Sequence, residues 1–170
     1  MDQITAEYLT HLHTEIENCS QPLVTQQQLE SHLWEAANIL RGSVDSSDYK
    51  IYIFGMLFLK RLSDVFLEEA ARIFAQTGNL HLAMYEPTAH QFFLPEDALW
   101  FDLQRYRTAV GKKLNLAFSA IEKANRDKLE GVLETIDFDV KTLTDGTLSQ
   151  LIHQFETLPL ATPIWKNRTF

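Results

Sequence analysis

Apolar residues recur every three or four positions along most of the chain, which is the period of one face of a helix. Ile4, Tyr8, Leu12 and Ile16 are spaced by four and predict a first amphipathic helix within residues 1–20, closed by Ser20-Gln21-Pro22. Thr25 with Gln28 three residues later has the form of a capping box, in which each side chain satisfies an unpaired backbone N–H at a helix start. Leu29, Leu33, Ala36, Ala37 and Leu40 then keep the helical period, and Gly42 stands where a left-handed residue ends the element. After the polar connection Ser43–Ser47, Asp45 or Ser46 is placed to cap a third helix, and Asp48 sets a negative charge near its positive end. That helix is expected to run to about Gln76, before Thr77-Gly78.

Between Ile51 and Leu59 the third helix is apolar all round, the mark of burial on every side. From Leu62 it becomes one-sided, through Val65, Phe66, Ala70 and Ile73. It reads as the central element on which the others pack. Residues 79–95 read as irregular, with Phe92-Phe93-Leu94 biased to extended backbone by Pro95. Pro95-Glu96-Asp97 suits the first turn of a short helix through Trp100 and Phe101. A long helix follows, with Val110, Leu114, Ala117, Phe118 and Ile121 on one stripe and Lys112 and Lys123 on another. Thr144 or Asp145 can cap a last helix bearing Leu148, Leu151, Ile152 and Phe155, and Pro159 and Pro163 end the regular structure. No strand of alternating period stands out. The expected fold is mainly α: a compact bundle of about five to seven helices around one central buried helix, with little or no sheet.

Composition narrows the function classes. At 170 residues and 45% hydrophobic, the chain has material for one ordinary core and is not a disordered tail. One cysteine, Cys19, excludes a disulfide framework and a multi-cysteine zinc site, and fits a reducing, cytoplasmic setting. Asp2, Glu7 and Glu15 stand where a secretory signal would need basic and then apolar residues. The longest apolar run, residues 51–59, is far short of the roughly 20 needed to span a bilayer. No membrane role is expected.

The net charge of −8 is unevenly spread. Residues 1–48 hold eight acids and one base, whereas 101–128 hold three acids and seven bases: Arg105, Arg107, Lys112, Lys113, Lys123, Arg126 and Lys128. An acidic whole disfavours unspecific nucleic-acid binding, which rests on neutralising phosphates, yet a local basic stretch can still touch them. On charge alone, Arg41, Lys50, Lys60, Arg61, Lys112 and Lys113 are the candidate contacts to nucleic acid.

Catalytic machinery is not visible. The glycines (42, 55, 78, 111, 131 and 146) are never nearer than thirteen residues to each other, so no phosphate-cradling loop or dinucleotide fingerprint exists. His11, His13, His32, His81, His90 and His153 show no i, i+4 pair suited to a metal on a helix. Adjacent acids such as Glu68-Glu69 and Glu96-Asp97 point about 100° apart on a helix and read as solvated faces or caps. No catalytic, cofactor-binding or metal-binding residue is assigned.

One ordered series is more specific. Leu33-Trp34, Ala36-Ala37, Leu40-Arg41-Gly42, Tyr49-Lys50 and Gly55 through Asp64 resemble the N-terminal helical domain of the modification (methyltransferase) subunit of type I restriction–modification systems. The resemblance continues through Phe93-Leu94-Pro95-Glu96-Asp97-Ala98 with Trp100, and through Gly111-Lys112-Lys113-Leu114-Asn115. Ala120-Ile121-Glu122, Leu129-x-Gly131-Val132-Leu133, Phe138 and the helix Leu148–Phe155 complete it. It covers about residues 28–157 and implies an N-terminal extension over 1–22, the helical domain over 23–160, and a tail or truncated link over 161–170. In that family a following Rossmann-like domain binds S-adenosylmethionine and methylates adenine N6. Its marks are a Gly-rich loop and an Asn-Pro-Pro-aromatic tetrapeptide. This chain has neither, because none of its five prolines follows Asn or another Pro. The resemblance therefore implies an accessory domain without its own cofactor, inactive alone. Its implied partners are a specificity subunit, a second modification subunit, a restriction subunit and double-stranded DNA. The alternative is a helical protein–protein interaction domain that does not touch DNA.

Overall fold

The computed structural model describes residues 3–18, 24–133, 135–158 and 160, leaving aside the side chains of residues 3, 4 and 15–18. The predicted stop at Ser20-Gln21-Pro22, Cys19, Pro159, Pro163 and residues 161–170 lie outside the described residues, as do the side chains of Ile4 and Ile16.

Among the described residues there are eight α-helices and no strand. They are α1 (Gln3–Asn18), α2 (Gln26–Leu40), α3 (Tyr49–Thr77), α4 (Leu80–Tyr85), α5 (Trp100–Leu103), α6 (Val110–Ala124), α7 (Arg126–Leu129) and α8 (Asp145–Glu156). The number exceeds the expected five to seven because α4, α5 and α7 are short, of six, four and four residues. Such pieces lack a full helical period and leave little trace in a pattern.

α3, of 29 residues, is the axis. α1, α2, α4, α5 and α8 all pack on it, and Met56, Leu59 and Phe66 along it are wholly buried. α1 joins the same core through Tyr8 and Leu12. The ends of the helices follow local chemistry. The capping box of α2 forms, with the Thr25 N–H donating to Gln28 Oε1 at 2.9 Å and the Gln28 N–H donating to Thr25 Oγ1 at 3.2 Å. α3 stops at Gly78, whose φ of 64° lies in the left-handed region that glycine adopts without strain.

Four expectations need correction. The stretch 51–59 is not buried on every side: Ile51 is 42% and Phe54 66% exposed. Neighbours cover the core side of α3 there, while the opposite face opens into a groove. Residues 79–95 are not wholly irregular, because Asn79 Oδ1 accepts the Leu82 N–H at 3.0 Å and starts α4, and a turn of 3-10 helix follows at Pro87–Ala89. Pro95 does not open a helix. Asp97 has a φ of 65°, which breaks the helical path, and α5 begins at Trp100. Finally, neither Asp45 nor Ser46 caps α3; Asp48 flanks its start and makes no side-chain capping bond.

Candidate functional site

The polar residues of α6 explain much of the ordered series. Asn115 Oδ1 accepts the Phe138 N–H at 2.9 Å, and its amide donates to Asp137 Oδ1 at 2.7 Å. That bond, with the Asp139 N–H, holds the Asp137 carboxyl below its usual range. The buried Glu122 carboxylate accepts from the backbones of Gly131 at 2.7 Å and Leu133 at 2.9 Å. Asn125 accepts the Phe93 N–H and returns a bond to the Phe93 carbonyl, both at 2.8 Å. Two side chains of α6 and one at its C-terminal cap thus clamp the segments around 93, 131–133 and 138. They supply partners to buried backbone groups that have no ladder to join.

Two glycines fit the same design. Phe138 is fully buried between α3 and α6. A Cβ on Gly55 would lie 3.0 Å from the Phe138 ring, and one on Gly111 would press on the Phe138 carbonyl, 2.9 Å from its carbon. These glycines admit a chain and a ring rather than a phosphate. Asp145 behaves similarly. Its carboxylate accepts the N–H groups of Ala109 at 3.0 Å and Val110 at 2.7 Å, occupying the positive end of α6, while Thr144 caps α8.

The candidate nucleic-acid contacts separate into three places. Arg41 and Lys50 are exposed around the α2–α3 connection, with Arg41 donating to Asn38 Oδ1 at 2.9 Å. Lys60 is buried, 2.5 Å from Asp64 Oδ1 and over the Trp100 ring. Arg61 donates to the Leu160 carbonyl and Asp64 accepts the Leu160 N–H at 3.0 Å, so this pair of positions tethers the chain after α8 to α3. Lys112 is exposed on α6, and Lys113 lies over the Tyr106 ring at 4.6 Å. Only the surface members of the set can meet a phosphate without breaking a buried pair.

Within the basic stretch, Arg105 pairs with Glu7 and Asp102, Arg107 donates to the Gln104 carbonyl, and Lys128 donates to the Gln91 carbonyl at 2.8 Å. Lys112, Leu116, Ser119 and Lys123 form the outward stripe of α6, and Leu116 is 65% exposed. Arg105, Arg107, Glu7, His11 and His153, with Phe101, Tyr106 and Ile152, also line a cleft of about 640 Å³ and mixed polarity between α1, the α5–α6 connection and α8. Burial of Asp102, reinforced by Asp97 and Glu96, pushes its carboxyl up to about 6. His11 stacks on Phe101 at 3.9 Å, and burial lowers its basicity. Among the described residues no group of three or more His, Cys, Asp or Glu is placed to hold a metal.

Sequence reasoning missed a second surface. Leu29, Phe54, Leu57, Phe58, Val132 and Ile136 line an apolar groove of about 470 Å³, with Arg61 and Leu160 at one end. Its signal is an excess: Ile51, Phe54, Leu57 and Phe58 add a second apolar stripe to a helix that already has one facing the core.

Comparison with known proteins bears on this architecture directly. The HsdM N-terminal domain family matches residues 29–155, the span that contains both glycines at Phe138 and all three clamping residues, Asn115, Glu122 and Asn125. The chain belongs to the HsdM N-terminal domain family. A curated relative, the type I restriction enzyme MjaIX methylase subunit of Methanocaldococcus jannaschii, is 23% identical over an alignment of 149 residues that covers 77% of this chain. The aligned part is 26% of that relative, so the chain spans about a quarter of its length. The clamps and the Phe138 pocket are therefore the described structure of an HsdM N-terminal domain.

Proposed function

We propose that this HsdM N-terminal domain serves a type I modification enzyme by contact rather than by chemistry. It helps subunits assemble and close around DNA, while S-adenosylmethionine-dependent methylation of adenine N6 is carried out by a catalytic domain outside this chain. The observation that carries the reading is the commitment of the domain's polar side chains, two of which, Asn115 and Glu122, belong to the ordered series. Asn115, Glu122, Asn125 and Asp145 all bond backbone atoms of their own domain, which is the work of a scaffold. Its partners in this reading are a specificity subunit, a second modification subunit and a restriction subunit, and its place is the cytoplasm. Closure has a physical purpose, because extruding an adenine from the duplex costs a few kcal/mol that protein contacts must offset.

Phosphate contact is assigned to exposed cations: Lys112 with Lys123 on α6, joined by Lys113, and Arg41 and Lys50 at the α2–α3 connection. Because Asp145 occupies the N-terminus of α6, side chains and not helix amides would make that contact. An electrophoretic shift of duplex DNA at about 50 mM salt tests it, since binding through phosphates weakens steeply as salt rises. K112E/K113E should weaken the shift for all sequences alike. Equal binding by wild type and variant removes α6 from the interface.

The apolar groove at Phe54 favours a second reading, a protein–protein module without DNA contact. Co-purification with a specificity subunit in the absence of DNA, unaffected by K112E/K113E and lost on changing Phe54, would select it.

A further inference from the structure

We propose that the groove on the N-terminal half of α3 receives an amphipathic helix of a partner subunit, apolar on the inserted face and rich in Lys and Arg along its flanks. The pairing rests on the assembly role proposed above and names the partner's chemistry. Phe54 and Phe58 on α3, Leu29 on α2, and Val132 with Ile136 on the connection after α7 form the walls. Phe54 is 66% and Val132 48% exposed, so large apolar side chains stand in water on both sides. A space of about 470 Å³ admits a few such side chains from outside, while a helix, roughly 10–12 Å across, rests on the walls.

The walls decide the form of the occupant. Apart from Arg61 their side chains are aliphatic and aromatic, and among the described residues there is no strand whose edge could pair with an added one. An extended segment laid there would bury backbone N–H and C=O groups without partners. A helix brings its own backbone hydrogen bonds and inserts side chains spaced three and four residues apart. Charge decides the flanks. Glu30 follows Leu29, Glu130 and Asp137 bracket the wall residues Val132, Leu133 and Ile136, and Asp48 stands one turn before Ile51; all four acids are exposed. Asp137 is kept ionised by the Asn115 amide and the Asp139 N–H. Against these acids stand exposed Lys50 and half-buried Arg61, which donates to the Leu160 carbonyl. The excess of acid disfavours phosphate and favours Lys and Arg beside the apolar anchors.

The test uses the intact chain and two labelled peptides of about 18 residues, long enough to be helical alone. Both carry Leu along one face; one has Lys on its flanks and the other Glu. Fluorescence anisotropy at about 50 mM salt should show the Lys peptide binding about tenfold more tightly, with the gap closing as added salt screens the charges. Phe54→Ala should weaken the Lys peptide about tenfold, as loss of a buried aromatic anchor does, and unchanged helical circular dichroism checks that the fold is intact. Glu30→Lys with Glu130→Lys should reverse the preference between the peptides. Equal binding of both peptides by the intact chain overturns the proposal, as does binding lost in K112E/K113E but kept in Phe54→Ala. Failure of both peptides also overturns it, and the chain's mass in sedimentation then tells whether a second copy fills the groove. If a specificity subunit still co-purifies in that case, the assembly role stands without this helix.

Discussion

The two halves of α3 differ in composition and in surroundings, and in opposite senses: the less apolar half is the one enclosed. From Leu62 to Ala71 the helix is enclosed: Leu62, Val65, Phe66, Leu67, Ala70 and Ala71 are all buried, and Ser63 Oγ accepts the Trp100 N–H at 2.9 Å. From Ile51 to Phe58 a more apolar stretch, without a charged residue, leaves Ile51 and Phe54 exposed, with Phe54 in the wall of a groove. Apolar content thus reports that a side chain gains by leaving water, but not whether a neighbour is there to receive it. Enclosure makes the first half a stability element. Incomplete enclosure leaves the N-terminal half with an open apolar groove.

The contrast breaks most sharply with paired substitutions. Phe66→Ala should cost about 4 kcal/mol of unfolding free energy, the usual range for emptying a buried aromatic site, whereas Phe54→Ala should stay within about 0.5 kcal/mol. Urea midpoints at constant m-value read both. Next in size is Asp64→Ala, which leaves Lys60 buried without its partner and should cost about 3 kcal/mol. Gly111→Ala presses a methyl on the Phe138 carbonyl and should cost about 2 kcal/mol by overpacking. A cost near zero there would mean that Phe138 is not held as described.

Legibility in the sequence followed the same division. The long helices α1, α2, α3, α6 and α8 were plain because each repeats its period several times and most have capping or terminating residues. Thr25-Gln28 and Gly78 sit where their chemistry requires. α4 and the start of α5 were not legible, since one Asn79 cap and one left-handed Asp97 decide them. The glycines were read for what they lack. Their purpose at Gly55 and Gly111 depends on Phe138, which is 83 and 27 residues away in sequence. Lys60 is likewise indistinguishable from Lys50 in a charge count, yet it is buried against Asp64. Asp145 serves α6 across 35 residues of chain, a relation that no local pattern contains.

The smallest effect sharpens the picture electrostatically. Asp102 titrates near 6 in the fold against 3.8 ordinarily. Between those values the folded state holds the proton more tightly, so this residue makes the protein less stable as pH rises through that window and contributes no further slope above it. Asp102→Asn should flatten the dependence between about pH 4 and 6 and raise stability at pH 7, read from thermal midpoints across that range.

Titration calorimetry of S-adenosylmethionine into the purified chain tests most directly whether this domain contributes contacts rather than chemistry. The account predicts no heat beyond dilution. A saturable heat at one site per chain would contradict it.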